Sequence, residues 1–303
     1  MADWTLRQAR YFLATVEHGS VAGGAAAEVV AQGTVSQAVA ALEKSLGVDL
    51  LVHGPARRAV PTAAGRAFAA EVREVLDAVD RATDVATDAA TQLRGRLTVG
   101  CAQQLAARMF PPLAEHFTRV WPDVELVLAE GTPIHLQDGV REGRIDIALA
   151  YSRQAGDDLH LHRLAPVVPH AMLAADHPLV LSGHTTVRVG DLAGMRAVMP
   201  LLPPTEDLLM EALGDLGERP EVAWRSSSAE TIRGLVARGL AFSVVNSVPH
   251  TGEAFDGRQV AYLPLADALP KNAVVALTAP TSRRVRRVDE ALAVLERIAQ
   301  ETA

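Results

Sequence analysis

Only one of the 303 residues is a cysteine, Cys101. No intramolecular disulfide is possible, and a reducing cytoplasm is the expected location. No run of about 18 apolar residues could span a membrane. The opening Met1-Ala2-Asp3-Trp4-Thr5-Leu6-Arg7 lacks a basic segment followed by an apolar one, so no signal peptide is expected. Walker, Gly-x-Gly-x-x-Gly and Gly-x-Ser-x-Gly motifs are missing too. No cofactor is expected, and the scattered Ser, His and Asp residues form no catalytic set of an α/β enzyme. Positive charge is also scarce: the net charge is −7. Residues 1–66 hold six cations (Arg7, Arg10, Lys44, Arg57, Arg58, Arg66) and five anions (Asp3, Glu17, Glu28, Glu43, Asp49), or +1, leaving −8 for the remainder. The amino-terminal part is thus less hostile to phosphate than the whole, without being strongly basic.

What is present begins with helical periodicity. Leu6, Ala9, Leu13 and Val16 form one stripe, with Phe12 beside it, over residues 5–17. Gly19 ends that helix and Ser20 can cap the next, an Ala-rich segment from Val21 to Val29. A third helix opens near Gln32, with Val35, Val39, Leu42 and Leu46 on one face and Gly47 closing it. Its other face, Gly33, Ser36, Gln37 and Ala40, is small and polar. Two short extended runs around His53-Gly54-Pro55-Ala56-Arg57-Arg58 read as a β-hairpin wing. Thr62 can then cap a long helix whose stripe runs Phe68, Val72, Val75, Val79, Ala82, Ala86, Ala89 and Leu93. Its spacings alternate between four and three, as a two-stranded seam requires. The plainer alternative is a helix packed on its own domain.

After Arg94-Gly95-Arg96 the pattern alternates between strands and helices. Strands are expected at 97–100, 124–128 and 145–150, then near 171–174, 196–199, 221–225 and 240–245. Helices are expected around Leu105–Phe117, from about Thr205, from Ser228, and from Arg283 to Gln300. This βαβ order implies a mainly parallel sheet. His160-Leu161-His162 could begin a metal site, but no further ligand stands at diagnostic spacing, so no metal is expected. Cys101 reads as a small residue lining a cleft rather than a redox sensor, since no second cysteine could resolve a sulfenic acid.

The order and spacing of several motifs resemble the LysR-type transcriptional regulators. In the head these are Phe12-Leu13, Gly19-Ser20, Gln32, Val35-Ser36, Ala41-Leu42-Glu43, Leu46-Gly47-Val48 and Pro61-Thr62-Ala63-Ala64-Gly65. Downstream they are Pro111-Pro112, Trp121-Pro122, Glu130-Gly131, Gly143-Arg144-Ile145-Asp146, His177-Pro178-Leu179 and Leu235-Val236-Ala237-Arg238-Gly239-Leu240. The resemblance covers essentially the whole chain. It implies an α/β protein with an all-α-rich winged helix-turn-helix head over 1–62. A dimerisation linker helix over 63–93 and an effector domain over 94–303 would follow. That domain is similar to periplasmic binding proteins, with lobe I at about 95–164 and 267–303 and lobe II at about 165–266.

The resemblance also implies partners: double-stranded operator DNA, a small-molecule effector, and further copies in a dimer or tetramer. On the recognition helix, Gln32 and Gln37 suit adenine edges, Ser36 a base or phosphate, and Thr34 a phosphate or thymine methyl, with Gly33 between them. Arg57 and Arg58 at the wing tip suit the minor groove or backbone. Glu28, Gly33, Gln37 and Ala40 depart from the family's usual residues and lower the expected phosphate affinity. A sensor module whose head binds DNA weakly or not at all is the alternative. The effector is expected at Cys101, Ala102, Gln103, Thr132 and Ile134 of lobe I, and at Leu202, Thr205, Ser226, Ser227 and Asn246 of lobe II. Ser227 with Glu230 fits a capping box, and that helix start could also take a carboxylate.

Overall fold

The computed structural model describes residues 3–53, 58–86, 93–201, 210, 214, 220–267, 269–280 and 286–301. The head is built from α1 (Leu6–Glu17), α2 (Val21–Ala27) and α3 (Gln32–Leu46), followed by β1 (Leu51–His53) and β2 (Ala59–Pro61). Thr5 starts α1 through a reciprocal cap: it accepts from the Gln8 amide, while its own amide donates to Gln8 Oε1 at 2.7 Å. Ser20 accepts from the Gly23 amide at 3.0 Å and starts α2. Phe12, Val35, Val39 and Leu42 then meet in one core. Gly24 has a positive role there, because a Cβ would come within 2.8 Å of the Thr15 amide nitrogen. The glycine weakens its own helix but allows α2 to cross α1 closely. β1 and β2 pair antiparallel, Val52 opposite Val60.

Thr62 caps α4 (Ala63–Ala86) by accepting from the Gly65 amide at 2.9 Å. The stripe expected to form an intermolecular seam is partly consumed within the chain. Val72 is buried in the head core with Phe68 packed against that core, and Leu93 is buried in the core of lobe I. The plainer alternative therefore holds at the start of the stripe, whereas Leu93 lies beyond the end of α4, just before β3. Val75, at 38% exposed, and Ala82 face solvent between them. Ala89 lies outside the described residues.

Lobe I holds a five-stranded sheet ordered β4-β3-β5-β12-β6, from β3 (Gly95–Ala102), β4 (Val124–Gly131), β5 (Ile147–Tyr151), β6 (His160–Pro166) and β12 (Ala273–Thr278). β3 runs parallel to both β4 and β5. α5 (Gln103–Val120) and α6 (Pro133–Arg141) make the two crossovers, and α9 (Arg286–Glu301) packs beside α5. β12 returns from lobe II and runs antiparallel to β5 and β6. Lobe II centres on β7 (His170–Ala174) between β10 (Ser243–Val245) and β11 (Val260–Pro264), all antiparallel. β8 (Arg196–Pro200) and β9 (Glu221–Ser226) pair in parallel, and an Ala197–Phe242 bridge joins them to the β10 side. The short α7 (Pro178–Leu181) and α8 (Ala229–Ala237) complete the lobe as described. The sheets are thus mixed, not mainly parallel, because the chain crosses between lobes twice. Those crossings lie side by side: the Val167 amide donates to Asn272 O at 3.1 Å and the Leu265 amide to Pro169 O at 2.9 Å.

Candidate nucleic-acid interface and ligand cleft

Helix α3 separates its two faces cleanly. Val35, Val39 and Leu42 are buried, whereas Gln32, Gly33, Thr34, Ser36 and Gln37 are all exposed. Burial of the first set turns the second outward together, on a surface without long charged side chains. Nothing lies within 4 Å of a Cβ built on Gly33, so the start of the helix stands in open space. Ala31 occupies the N-cap position and offers no side-chain hydrogen bond. The first-turn N–H groups of Gln32 and Gly33 therefore have no capping acceptor and can serve a phosphate. Arg58 is exposed beside β2. Arg57 lies outside the described residues.

The turn between α2 and α3 contains a feature that periodicity does not reveal. The Val30 amide donates to Ala25 O at 3.0 Å, closing α2 in the manner of a Schellman motif. Val29 is then left with φ +55°, and its side chain is 89% exposed. Glycine is the usual residue for this backbone, and a β-branched side chain is strained there.

In the effector domain, a cavity of about 450 Å³ lies between the lobes. Gln103, Gln104, Glu130 and Tyr151, at the carboxyl ends of β3, β4 and β5, form its lobe I wall. Such strand ends are where parallel sheets place ligands, because neighbouring crossovers diverge there. Lobe II contributes Ser227 and Ser228 before α8, Ser243 and Asn246 from the β10 region, and Tyr262 of β11. The volume falls within the range of about 300–1,000 Å³ usual for small-molecule sites.

Of the residues expected in the cleft, the structure brings Gln103, Ser227 and Asn246 to one cavity. Cys101 goes elsewhere: it is 0% exposed, in the lobe I core with Leu97 and Val99. Burial foremost, then the charge of Glu130, push its thiol pKa up. Ala102 is buried at the N-cap of α5, Thr132 caps α6 by accepting from the His135 amide, and Ile134 is exposed; none of these lines the cavity. Ser226 lies outside the lining as well, its hydroxyl accepting from the Ser228 amide at 3.1 Å. Leu202 and Thr205 lie outside the described residues. The helix cap is Ser228, which accepts from the Thr231 amide at 3.2 Å, one residue beyond the expected Ser227. Glu230 instead pairs with Arg233 and accepts from the Phe255 amide.

Sequence reasoning did not assign Gln104, Glu130, Tyr151, Ser243 and Tyr262 to the cleft. Ser243 is 1% exposed, and among the described residues its hydroxyl has no hydrogen-bond partner; Gln104 Nε2 is likewise buried and unpartnered there. Burial foremost pushes the Tyr151 phenol pKa up and keeps it neutral. The rings of His160 and His162 stand 4.5 Å apart, and the His162 ring nitrogen meets Thr278 Oγ1 at 3.3 Å. No cluster of three or more His, Cys, Asp or Glu residues able to hold a metal occurs among the described residues. No helix among them is long and apolar enough to cross a membrane.

Known proteins share this arrangement throughout. Residues 6–66 match the bacterial regulatory helix-turn-helix proteins of the lysR family, and residues 90–300 match the LysR substrate binding domain. The uncharacterized HTH-type transcriptional regulator YvbU of Bacillus subtilis is 28% identical over 62% of this chain and 63% of its own length. A hydrogen peroxide-inducible genes activator of Pectobacterium carotovorum is 28% identical over 91% of both chains. Among solved structures, HinK, a LysR family transcriptional regulator from Pseudomonas aeruginosa, superposes with a TM-score of 0.65. It is 27% identical, with 99% of this chain and 100% of that one covered. The chain belongs to the LysR family of DNA-binding transcription regulators, with a regulatory helix-turn-helix head and a substrate-binding domain behind it.

Proposed function

We propose that α3 reads operator DNA through Gln32, Thr34, Ser36 and Gln37, with Gly33 giving close approach and Arg58 of the wing holding the backbone. The effector would bind between the lobes, on Gln103, Ser227 and Asn246 together with Gln104, Glu130 and Ser243. The observation that carries this reading is the cavity at the ends of β3, β4 and β5, closed by lobe II. Division at 62/63 and 93/94, a cytoplasmic location, a dimer or tetramer, and a purely regulatory, non-catalytic role complete the proposal.

The name of the Pectobacterium relative attaches it to hydrogen peroxide. Cys101 gives little support to thiol oxidation here. A buried thiol kept protonated is a poor nucleophile, and no second cysteine is available to form a disulfide. A small organic effector is the better reading.

An electrophoretic shift with DNA from upstream of the chain's own gene tests the head. Binding should weaken steeply as salt rises, because phosphate contacts release counterions. Absence of a shift at low salt on any genomic fragment would sink the regulator reading in favour of a sensor module with an inactive head.

A further inference from the structure

The cleft is chemically asymmetric, and its asymmetry bears on the ligand; the inference rests on the cleft being the effector site. Glu130 ends β4 on the lobe I wall, exposed, and forms no ion pair among the described residues. Arg233, the cation on the opposite wall, is already engaged. Its guanidinium pairs with Glu230, and its Nε–H donates to the Tyr262 hydroxyl at 3.3 Å. Among the described lining residues the cavity therefore offers a carboxylate without an ion pair on one side, while the Arg108 guanidinium acts on Cys101 and Tyr151 near the same wall.

The other polar groups ask for an acceptor. Among the described residues Ser243 Oγ is buried and unpartnered, and Gln104 Nε2 is buried without an acceptor. The start of α8, capped at Ser228, opens on the same space. A hydroxyl can turn either way, but Gln104 Nε2 and the first amides of α8 can only donate. Leaving such donors unpaired beside a ligand would cost affinity. A simple anion would satisfy them while placing its charge beside Glu130. A simple cation would suit Glu130 and leave them facing another donor.

We infer that the cleft takes a small zwitterion of the α-amino acid class, its ammonium directed to Glu130 and its carboxylate to Ser243, Gln104 and the start of α8. Such a ligand touches both lobes at once, so its binding energy favours the closed arrangement over the open one.

Thermal denaturation of the full chain tests this with three matched probe sets: the twenty L-amino acids, their N-acetyl derivatives and their carboxamides, each at millimolar concentration. At least one free amino acid should raise Tm, as any ligand selective for the folded state does. Its N-acetyl and carboxamide forms should not. Glu130→Gln should weaken binding of that amino acid about tenfold or more, with Ser243→Ala acting in the same direction. The ligand-free Tm of each variant is read beside its ligand response, so that a loss of fold is distinguished from a loss of binding.

The inference is overturned if no free amino acid binds, if an N-acetyl form binds as well as its parent, or if Glu130→Gln leaves affinity unchanged. These failures are separable from failure of the underlying reading. A retained DNA shift with Tm raised by N-acetyl forms keeps the effector cleft and rejects the zwitterion. Loss of the DNA shift removes the regulator whichever probe binds.

Discussion

Single residues decide how well the recognition helix is held. Two of them, Val29 and Ala31, work against it. Val29 adopts a left-handed backbone that costs a β-branched residue about 1–2 kcal/mol. Glycine there would relieve this strain, offset by about 0.4–1 kcal/mol of additional unfolded-state entropy. Ala31 forgoes a cap usually worth about 1 kcal/mol. Val29→Gly and Ala31→Ser should each slow amide hydrogen exchange across α2 and α3, the serine more clearly. Unchanged protection in Ala31→Ser would mean that the helix start is already satisfied in solution. Most caps were legible in the sequence, because Ser20, Gly47 and Thr62 sit at the ends of periodic runs. Cys101 was not placed correctly, although its parity held the answer: Leu97, Val99 and Cys101 alternate along β3, so all three face the same core. Ser228 replaces Ser227 as a cap because three consecutive serines give pattern reading no means to choose among them.

Among the elements, α4 carries the largest burden. Its sequence shows one seven-residue stripe, but the chain divides that stripe between different partners. Phe68 and Val72 close the head, while Val75 and Ala82 remain outward. Any two-stranded seam must therefore use the middle of the helix. Val75→Asp with Ala82→Asp should lower the mass measured by light scattering and leave head folding intact, because neither side chain belongs to the head core. An unchanged mass would move the oligomer interface off α4. Strands β6, β11 and β12 were not read from sequence, whereas β3, β4 and β5 were. The latter sit in regular strand–helix alternation; β11 and β12 are short apolar runs without a helix between them to announce a crossover, and β6, with two histidines and an arginine, shows no apolar run. Their pairing, β12 between β5 and β6, is set by the second passage between the lobes rather than by local pattern.

At the scale of the whole molecule, one carboxylate joins the head to the effector domain. Glu17, at the end of α1, pairs with Arg73 of α4 at 3.3 Å and with Arg96 at the start of β3 at 2.5 Å. Arg73 also donates to Glu142 O at 3.3 Å, beyond α6, and Arg287 of α9 donates from Nε to Arg96 O at 2.8 Å. Burial is the main cause that pushes the Arg73 pKa down; nearby Arg144 and Arg96 act the same way, and Glu17 opposes all three. Removing the carboxylate therefore leaves clustered guanidiniums without their counter-charge, rather than merely deleting one bond. For partly exposed groups the expected loss is about 1–2 kcal/mol, roughly a tenfold change in a local opening equilibrium. Glu17→Gln should speed hydrogen exchange at the end of α1 and the start of β3 together, while the centre of lobe I stays protected. The same variant should reduce the change in DNA affinity that an effector produces, because coupling between sites requires an element whose arrangement both can bias. If exchange rises at α1 alone, the carboxylate serves only the head, and communication between cleft and DNA must pass along α4 without this contact.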